Sequence, residues 1–228
     1  MTLKAKILSI YTGEPEKLWE DKDQSAIRKT LVTGPQKVNR DGLLSDSQAD
    51  RAVHGGPEKA LHIYPSEHYS YWREVFPDRQ DIFKPGGFGE NFASEGFTEA
   101  ELCLGDVFAA GTIRVQISQA RQPCWKLNMH TGNPAQAAHF QKTARTGWYF
   151  RVLQEGHIEA GDELTLVERP CPEWNLKEVI HARFSPRVDP QMARALSELP
   201  ELAEPWQKAF AKKADPAFQE DTSRRLKG

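Results

Sequence analysis

The sequence predicts a mainly β protein: a closed or bent β-barrel followed by a small C-terminal extension of three short helices. Through the first three quarters of the 228-residue chain, many short segments of β-branched and aromatic residues are separated by glycine-containing turns. Beyond Arg169 the apolar residues recur at helical spacing instead. We therefore divide the chain into a barrel domain, residues 1–169, and a helical extension with its tail, residues 170–228.

The barrel is predicted from a series of strand candidates. The clearest is 112–118, where Ile113, Val115 and Ile117 alternate with polar residues after a turn at Ala110-Gly111. One helix is expected between the strands, capped by Ser66 and ended by Pro77. The other strand candidates are 6–11, 28–38 (weaker, and interrupted at Gly34-Pro35), 59–64, 107–108, 149–153, 156–158 and 163–167.

The extension is predicted to hold three helices within residues 171–214. The first contains Leu176, Val179, Ile180 and Phe184 at helical spacing. The second begins at Asp189-Pro190, a good N-cap and first-turn pair, and the third begins at Pro205-Trp206. Residues 215–228 are expected to form a frayed tail.

Charge and composition exclude several classes of protein. A formal net charge of −2 and a pI near 6.4 argue against binding to a nucleic acid polymer. A membrane span needs about 20 consecutive apolar residues, and the sequence has no such run. An odd number of cysteines, three, cannot form a disulfide framework, so we expect reduced thiols and a cytoplasmic protein.

Several familiar catalytic motifs are absent from the sequence. It contains no phosphate-binding loop, no nucleophile elbow, no Cys-x-x-Cys and no His-Glu-x-x-His. The pair His157 and Glu159 matches only the first half of a zinc deaminase signature. What remains is a set of three unusual stretches.

The first stretch surrounds Cys124, just after the clearest strand. Arg121 and Lys126 flank this cysteine, and nearby cations favour the thiolate, which is the form that binds metals or attacks electrophiles. A small buried hydrophobic side chain is an equally good interpretation of Cys124 on local sequence alone. Cys103 is better explained by packing, and Cys171 receives no role.

The second stretch runs from His54 through Gly55-Gly56 to Lys59 and His62. Paired glycines allow a tight bend whose backbone N–H groups can bind an anion, and Lys59 adds positive charge. The alternative is an ordinary loop in which His54 is hydrogen-bonded. The side chain of His62 lies on one face of its strand, and the sequence does not decide which.

The third stretch places three glycines around Phe88 and is followed by Glu90-Asn91. A backbone with so little steric restraint is typical of loops that line pockets, where Glu90 and Asn91 would offer an acceptor and an amide. Taken by itself, this stretch could be a simple turn.

Together these stretches resemble the MOSC-domain family, in the bacterial YiiM type that carries a three-helix extension. The resemblance rests on His54-Gly55-Gly56-Pro57-x-Lys59-Ala60-Leu61-His62-x-Tyr64, Phe88-Gly89-Glu90-Asn91, Gly105-Asp106 and Pro123-Cys124-x-Lys126-Leu127. It covers essentially the whole chain and implies a bent-strand β-barrel that binds the molybdenum cofactor, molybdopterin.

The resemblance also implies functional residues. Cys124 corresponds to the cysteine that ligates molybdenum in active members, a role that suits a soft thiolate. Cofactor and substrate are expected to contact His54, Gly55, Lys59, Glu90, Asn91, Arg121 and Lys126. Lys and Arg would hold the pterin phosphate, and Glu90 or His54 would supply a proton.

The activity implied is a two-electron reduction of small N-hydroxylated compounds such as 6-hydroxylaminopurine, that is, detoxification of base analogues. Because the sequence contains no flavin, haem or iron–sulfur motif, a flavoprotein reductase is expected as electron donor. Two alternatives stay open: a cofactor carrier or sulfur-transfer module in which Cys124 holds a persulfide, and a non-catalytic binding protein. Apolar residues on the extension suggest a homodimer.

Overall fold

The computed structural model describes residues 2–50 and 55–227, apart from the side chain of Arg224. Its strands are β1 (Lys4–Thr12), β2 (Thr30–Val32), β3 (Gln36–Asn39), β4 (Gly42–Leu43), β5 (Leu61–Pro65), β6 (Phe92–Glu95), β7 (Val107–Ala110), β8 (Ile113–Ala120), β9 (Trp148–Gln154), β10 (Gly156–Ile158) and β11 (Glu163–Glu168). Its α-helices are α1 (Glu67–Val75), α2 (Trp125–Thr131), α3 (Gln136–Thr143), α4 (Leu176–Phe184), α5 (Pro190–Ser197), α6 (Glu204–Lys213) and α7 (Ser223–Lys227).

Seven strands close into a barrel in the order β1-β11-β7-β8-β9-β5-β6, and β6 pairs with β1 to complete the ring. All neighbours in the ring are antiparallel except β5 and β6. The short β2 pairs with the distal end of β1, while β10, β3 and β4 form a small second sheet. The predicted mainly β fold with a barrel is confirmed.

The alternation that predicted β8 also decides which face of the strand is buried. Ile113, Val115 and Ile117 are buried in the barrel core, whereas Arg114 and Gln116 are only half-buried. The pairing of β8 with β9 shifts register between Ile117 and Gln119, which bends the strand near its end. This bend brings the end of β8 to the rim of the barrel, just before the loop that carries Cys124.

Two details of the β5–α1 region differ from the expectation. Strand β5 begins at Leu61 rather than residue 59, because Pro57–Lys59 forms a turn of 3-10 helix. Helix α1 is confirmed, but Ser66 does not cap it with its hydroxyl. The backbone of Ser66 is already helical, and the Ser66 side chain makes no capping hydrogen bond.

Helices α2 and α3 follow β8 and were not anticipated. They cover a second apolar cluster, separate from the barrel interior and built mostly of aromatic residues. Trp72 of α1 stacks on Phe140 of α3 at 4.8 Å between ring centroids, and Leu127 of α2 is buried in the same cluster. The cluster therefore fixes α2, and with it the loop that precedes α2, against the outside of the barrel.

The three predicted helices of the extension are α4, α5 and α6, so this part of the fold is confirmed. Ile180, Leu196 and Trp206 belong to the same apolar core as the barrel strands. The backbone N–H of Ala203 also donates to the Ser118 carbonyl of β8 at 2.9 Å. The division at Arg169 stays a prediction.

The prediction of a frayed tail is wrong for the described residues after α6. Residues 223–227 form the short helix α7, which contacts α2. Glu220 makes an ion pair with Arg183 of α4 at 2.7 Å. These contacts bring the tail back to the barrel rim.

Within the described residues, no helix combines the length and the apolar character that crossing a bilayer requires.

Candidate functional site

A cavity opens at the rim of the barrel, where the end of β8 and parts of β5 and β9 meet the loops at 25–29 and 46–50. With the solvent at its mouth it encloses about 620 Å³. Five of the eight predicted site residues line it: Cys124, Lys59, Asn91, Arg121 and Lys126. The structure thus brings together residues from all three unusual stretches of the sequence.

Cys124 lies between the end of β8 and the start of α2. Its backbone is extended, it precedes the first residue of α2, and its half-buried thiol lines the cavity. The other two cysteines are buried elsewhere. Burial raises the pKa of Cys103, and it raises the pKa of Cys171 to about 12, so both remain thiols at neutral pH. Cys124 is therefore the cysteine placed to act on a ligand.

Among the described residues, the cavity is lined by four cationic side chains and two carboxylates, those of Asp46 and Asp50. The cations are Lys29, Lys59, Arg121 and Lys126. Such an excess of positive charge in a concave site favours an anionic ligand.

Two of the predicted cations are held in place by backbone groups. The Arg121 guanidinium donates to the carbonyl of Phe88 at 2.5 Å, and Lys126 Nζ donates to the carbonyl of Gln24 at 3.4 Å. Burial lowers the pKa of Lys59, an effect that the charge of Asp50 partly offsets. Arg121 and Lys126 thus line the cavity from positions that hydrogen bonds to the backbone hold.

Lys29 and Asp46 form a buried ion pair that was not anticipated. Burial lowers the pKa of Lys29 despite the attraction of Asp46. Asp46 also accepts from the backbone N–H of Gly13 at 2.7 Å and from Asn91 Nδ2 at 2.8 Å. The pair thereby ties the two cavity loops to β1 and to the start of β6.

Asn91 lines the cavity, and its side-chain amide holds neighbouring segments together by hydrogen bonds. Its Oδ1 accepts from the backbone N–H of His62 at 3.0 Å. Its Nδ2 donates to Asp46 and, at 3.3 Å, to the carbonyl of Tyr11. Because these bonds use both ends of the amide, Asn91 organises the cavity wall.

The sequence alone did not decide which face of β5 carries the side chain of His62. His62 lines the cavity and is only 3% exposed. Neither ring nitrogen makes a hydrogen bond of good geometry to a described residue, although the nearby backbone groups of Thr146 and Gly89 act to raise the pKa of the ring. Burial, followed by the charges of Arg121 and Lys29, holds the pKa of His62 well below its usual range, so the ring is neutral.

Glu90 does not line the cavity, in contrast to the expectation that it would meet substrate. Its carboxylate is fully buried and accepts from the Tyr69 hydroxyl and from the backbone N–H groups of Gly86, at 2.6 Å, and Phe88, at 3.0 Å. Burial raises the pKa of Glu90. Its position indicates that it shapes the glycine-rich loop from behind.

The remaining two predicted residues belong to the loop before β5. His54 lies outside the described residues, so its role stays a prediction. Gly55 is half-buried and does not line the cavity. The neighbouring Gly56 has a φ of 85°, which fits the tight bend inferred from the glycine pair.

Several residues that line the cavity were not predicted from the sequence, in particular Lys29, Asp46 and Tyr149. Each comes from a segment without a recognisable motif, and only the barrel brings them together. The Tyr149 ring lies 4.9 Å from the His62 ring, between centroids, and extends the wall beside it.

Comparisons with known proteins agree with this architecture. Residues 50–165 match the MOSC domain model, and residues 174–213 match the model "YiiM-like, 3-alpha helix domain". The chain belongs to the MOSC-domain family. The match to the second model places the extension in the YiiM-like type as well.

Individual relatives cover the chain to different extents. Protein YiiM of Escherichia coli strain K12 is 38% identical over 97% of this chain and 98% of its own length. Its crystal structure superposes with a TM-score of 0.82, covering 100% of both chains at 31% identity in that alignment. A protein named "Reductase" from Gibberella moniliformis is 37% identical over 70% of this chain but only 29% of its own length.

Proposed function

We propose that this chain is a molybdenum-cofactor-dependent reductase of small N-hydroxylated compounds, with Cys124 as the protein ligand of the metal. The observation that carries the proposal is the position of the Cys124 thiol in a cationic cavity that the buried, neutral ring of His62 also lines. Membership of the MOSC-domain family and a relative named as a reductase support it.

The residues around Cys124 suit a metal whose other ligands belong to an organic cofactor. Within residues 2–50 and 55–227, no three His, Cys, Asp or Glu side chains are grouped so that they could hold an ion by themselves. A single cysteine is enough when a dithiolene supplies the other sulfur ligands, and soft thiolate suits such a centre. A metal bound only by protein side chains fits this cavity poorly.

The rest of the cavity fits the organic part of the cofactor. The four cations suit a phosphate, and Arg121 in particular offers the planar donor group that phosphate prefers. A buried donor or acceptor without a partner costs about 1–3 kcal/mol. A heterocycle that hydrogen-bonds to one nitrogen of His62 would recover part of that cost.

The reaction that we propose converts an N–OH group and two electrons and two protons into N–H and water. When bound, the molybdenum centre supplies the two-electron chemistry. The protein orients the ligand with Arg121 and Lys126 and walls off solvent with His62 and Tyr149. Lys59 is placed to supply a proton, since burial lowers its pKa, and His54 is the other candidate.

The electrons require an external source in this proposal. We assign that role to a flavoprotein reductase, which would bring reducing equivalents to the rim where the cavity opens. In this proposal the protein acts in the cytoplasm. The predicted homodimer is a separate hypothesis.

The first experiment measures molybdenum. Wild-type protein and the Cys124→Ala variant are expressed in a host that makes molybdopterin, and metal content per folded protein is determined. We expect molybdenum in the wild type and its loss from the variant, while Cys103→Ala, a matched control outside the cavity, keeps it. Equal molybdenum content in wild type and Cys124→Ala would contradict the assignment of the ligand.

The second experiment tests turnover. Molybdenum-loaded protein is supplied with an artificial electron donor and 6-hydroxylaminopurine, and adenine is measured as the product. Formation of adenine that depends on Cys124 supports the reductase. A loaded protein that forms no adenine would instead favour the alternative of a cofactor carrier or sulfur-transfer module.

A further inference from the structure

The segment after α6 contacts the loop of the candidate metal ligand. Neither family model extends to it, since the second one ends at residue 213. The segment crosses α4 and ends in α7, beside α2. Three sets of contacts connect it to the residues around Cys124.

The first contact is made by Arg225 of α7. Its Nη1 donates to the carbonyl of Pro123 at 2.7 Å. This carbonyl belongs to the peptide group that joins Pro123 to Cys124. Arg225 therefore fixes the orientation of the backbone on which the Cys124 thiol is mounted.

The second contact joins α7 to α2. The carbonyl of Leu226 accepts from Asn128 Nδ2 at 3.0 Å. The same Asn128 side chain accepts from the backbone N–H of Ala137 at 2.7 Å, at the start of α3. The tail thus contributes to the junction that sets the direction of α2, the helix that begins just after Cys124.

The third contact is a buried ionic network. Arg183, whose side chain is 5% exposed, donates to both carboxylate oxygens of Glu220, at 2.7 and 3.0 Å. Its Nη2 also donates to Gln122 Oε1 at 3.2 Å. Lys213 Nζ lies 3.8 Å from the same carboxylate. Glu220 thereby holds Arg183 in the position from which it contacts the residue two before Cys124.

We propose that residues 215–227 form a strap that positions the Cys124 loop, with Arg225 and Glu220 as its positioning residues. The contacts at Gln122, Pro123 and Asn128 lie on both sides of the thiol, so the strap restrains the loop before and after it. The effect on metal binding rests on the proposed function, whereas the restraint of the loop does not.

The restraint is tested by amide hydrogen exchange on the full-length protein without cofactor. The variants are Arg225→Ala, Glu220→Gln and the conservative Arg225→Lys. Lys227→Ala and Glu204→Gln are matched controls, because Lys227 is exposed and the ion pair that the described structure gives Glu204 is with the exposed Lys208. Thermal unfolding shows whether each variant is folded.

We expect exchange in peptides covering 122–131 to rise at least about fivefold in Arg225→Ala and in Glu220→Gln, since each loses charge-assisted hydrogen bonds. Exchange in β8 should not change, and Arg225→Lys should restore most of the protection. Unchanged exchange at 122–131 in both variants would overturn the strap. An equal rise in β8 would also overturn it, because that result indicates a general loss of stability.

The consequence for the cofactor has a separate readout. In molybdenum-loaded protein, Arg225→Ala should lose metal during dialysis about tenfold faster than wild type, and Arg225→Lys should keep it. If even the wild type holds no molybdenum, the proposed function fails, while the exchange experiment still decides whether the strap exists.

Discussion

His62 and Asn91 are joined by two hydrogen bonds that run in opposite directions. The backbone N–H of Asn91 donates to the carbonyl of His62 at 2.8 Å, and the backbone N–H of His62 donates to Asn91 Oδ1 at 3.0 Å. Asn91 lies at the start of β6 and His62 in β5, the two parallel strands of the barrel. The side chain of Asn91 therefore supplies a connection between strands at the point where the cavity opens.

Replacing Asn91 by Ala should destabilise the protein. The change leaves the buried N–H of His62 without its acceptor and removes a donor to Asp46. We expect the free energy of unfolding to fall by about 2–4 kcal/mol, measured by urea denaturation. Asn39→Ala is the control, because Asn39 is a half-buried residue at the end of β3 whose amide accepts from the backbone N–H of Asp41 in an exposed hydrogen bond. A loss below about 1 kcal/mol for Asn91→Ala would show that water or a neighbouring group replaces the amide.

The pH dependence of the free energy of unfolding should reveal the contribution of Glu99 to stability. This buried carboxylate accepts from the backbone N–H groups of Thr146 and Gly147 and from His68. Burial alone would raise the pKa of Glu99, but the attraction of His68 and these hydrogen bonds outweigh it and lower the pKa below 4.5. The folded state thus holds the proton less tightly than the unfolded state.

The sign of this effect follows from linkage. The stabilisation by Glu99 is fully present above pH 4.5, the usual pKa, and is lost as the pH falls through the lower pKa of the folded state. Unfolding free energies of wild type and Glu99→Gln, measured from acidic to neutral pH, should therefore converge as the pH falls. Parallel curves would contradict the assigned direction.

The Glu90→Gln variant should show whether the role of Glu90 is structural or catalytic. The glutamine amide cannot accept from the backbone N–H of Phe88 and from Gly86 and Tyr69 at the same time. We expect a loss of about 1–3 kcal/mol in unfolding free energy. Turnover per folded, molybdenum-loaded molecule should stay within about threefold of wild type, since loss of a general acid typically costs at least a hundredfold. A hundredfold fall in turnover per folded molecule would restore Glu90 as the proton donor.

The barrel and the extension could be predicted because their signals are local. Alternation at Ile113, Val115 and Ile117 and helical spacing at Leu176 and Val179 correspond to buried faces in the structure. The sequence signals that would predict α2 and α3, such as a capping residue at the start of the helix, are weak. Cys124 and Ala135 precede these helices, and neither side chain makes a capping hydrogen bond. Packing of aromatic residues, rather than a starting signal, determines where they form.

The candidate site was only partly predictable. Cys124, Arg121 and Lys126 are close in sequence, so their shared location could be inferred. The Lys29–Asp46 pair depends on two loops that meet only after the barrel closes. The place of Glu90 could not be predicted, because a carboxylate beside glycines is typical of both pocket linings and loop supports, and burial distinguishes the two. Contacts between distant segments therefore decide most of the site.

The last prediction concerns the cost in folding free energy of burying the two ring nitrogens of His62. His62→Phe keeps an aromatic ring and removes two buried nitrogens that make no hydrogen bond of good geometry to a described residue. We expect the cofactor-free variant to be more stable than wild type by about 1 kcal/mol, as urea denaturation would show. The same variant should retain less molybdenum, since its ring offers no hydrogen bond to a heterocycle. Tyr149→Phe, which keeps the neighbouring ring, is the control for aromatic packing. A variant that is less stable without cofactor yet retains molybdenum normally would mean that His62 serves the fold rather than the ligand.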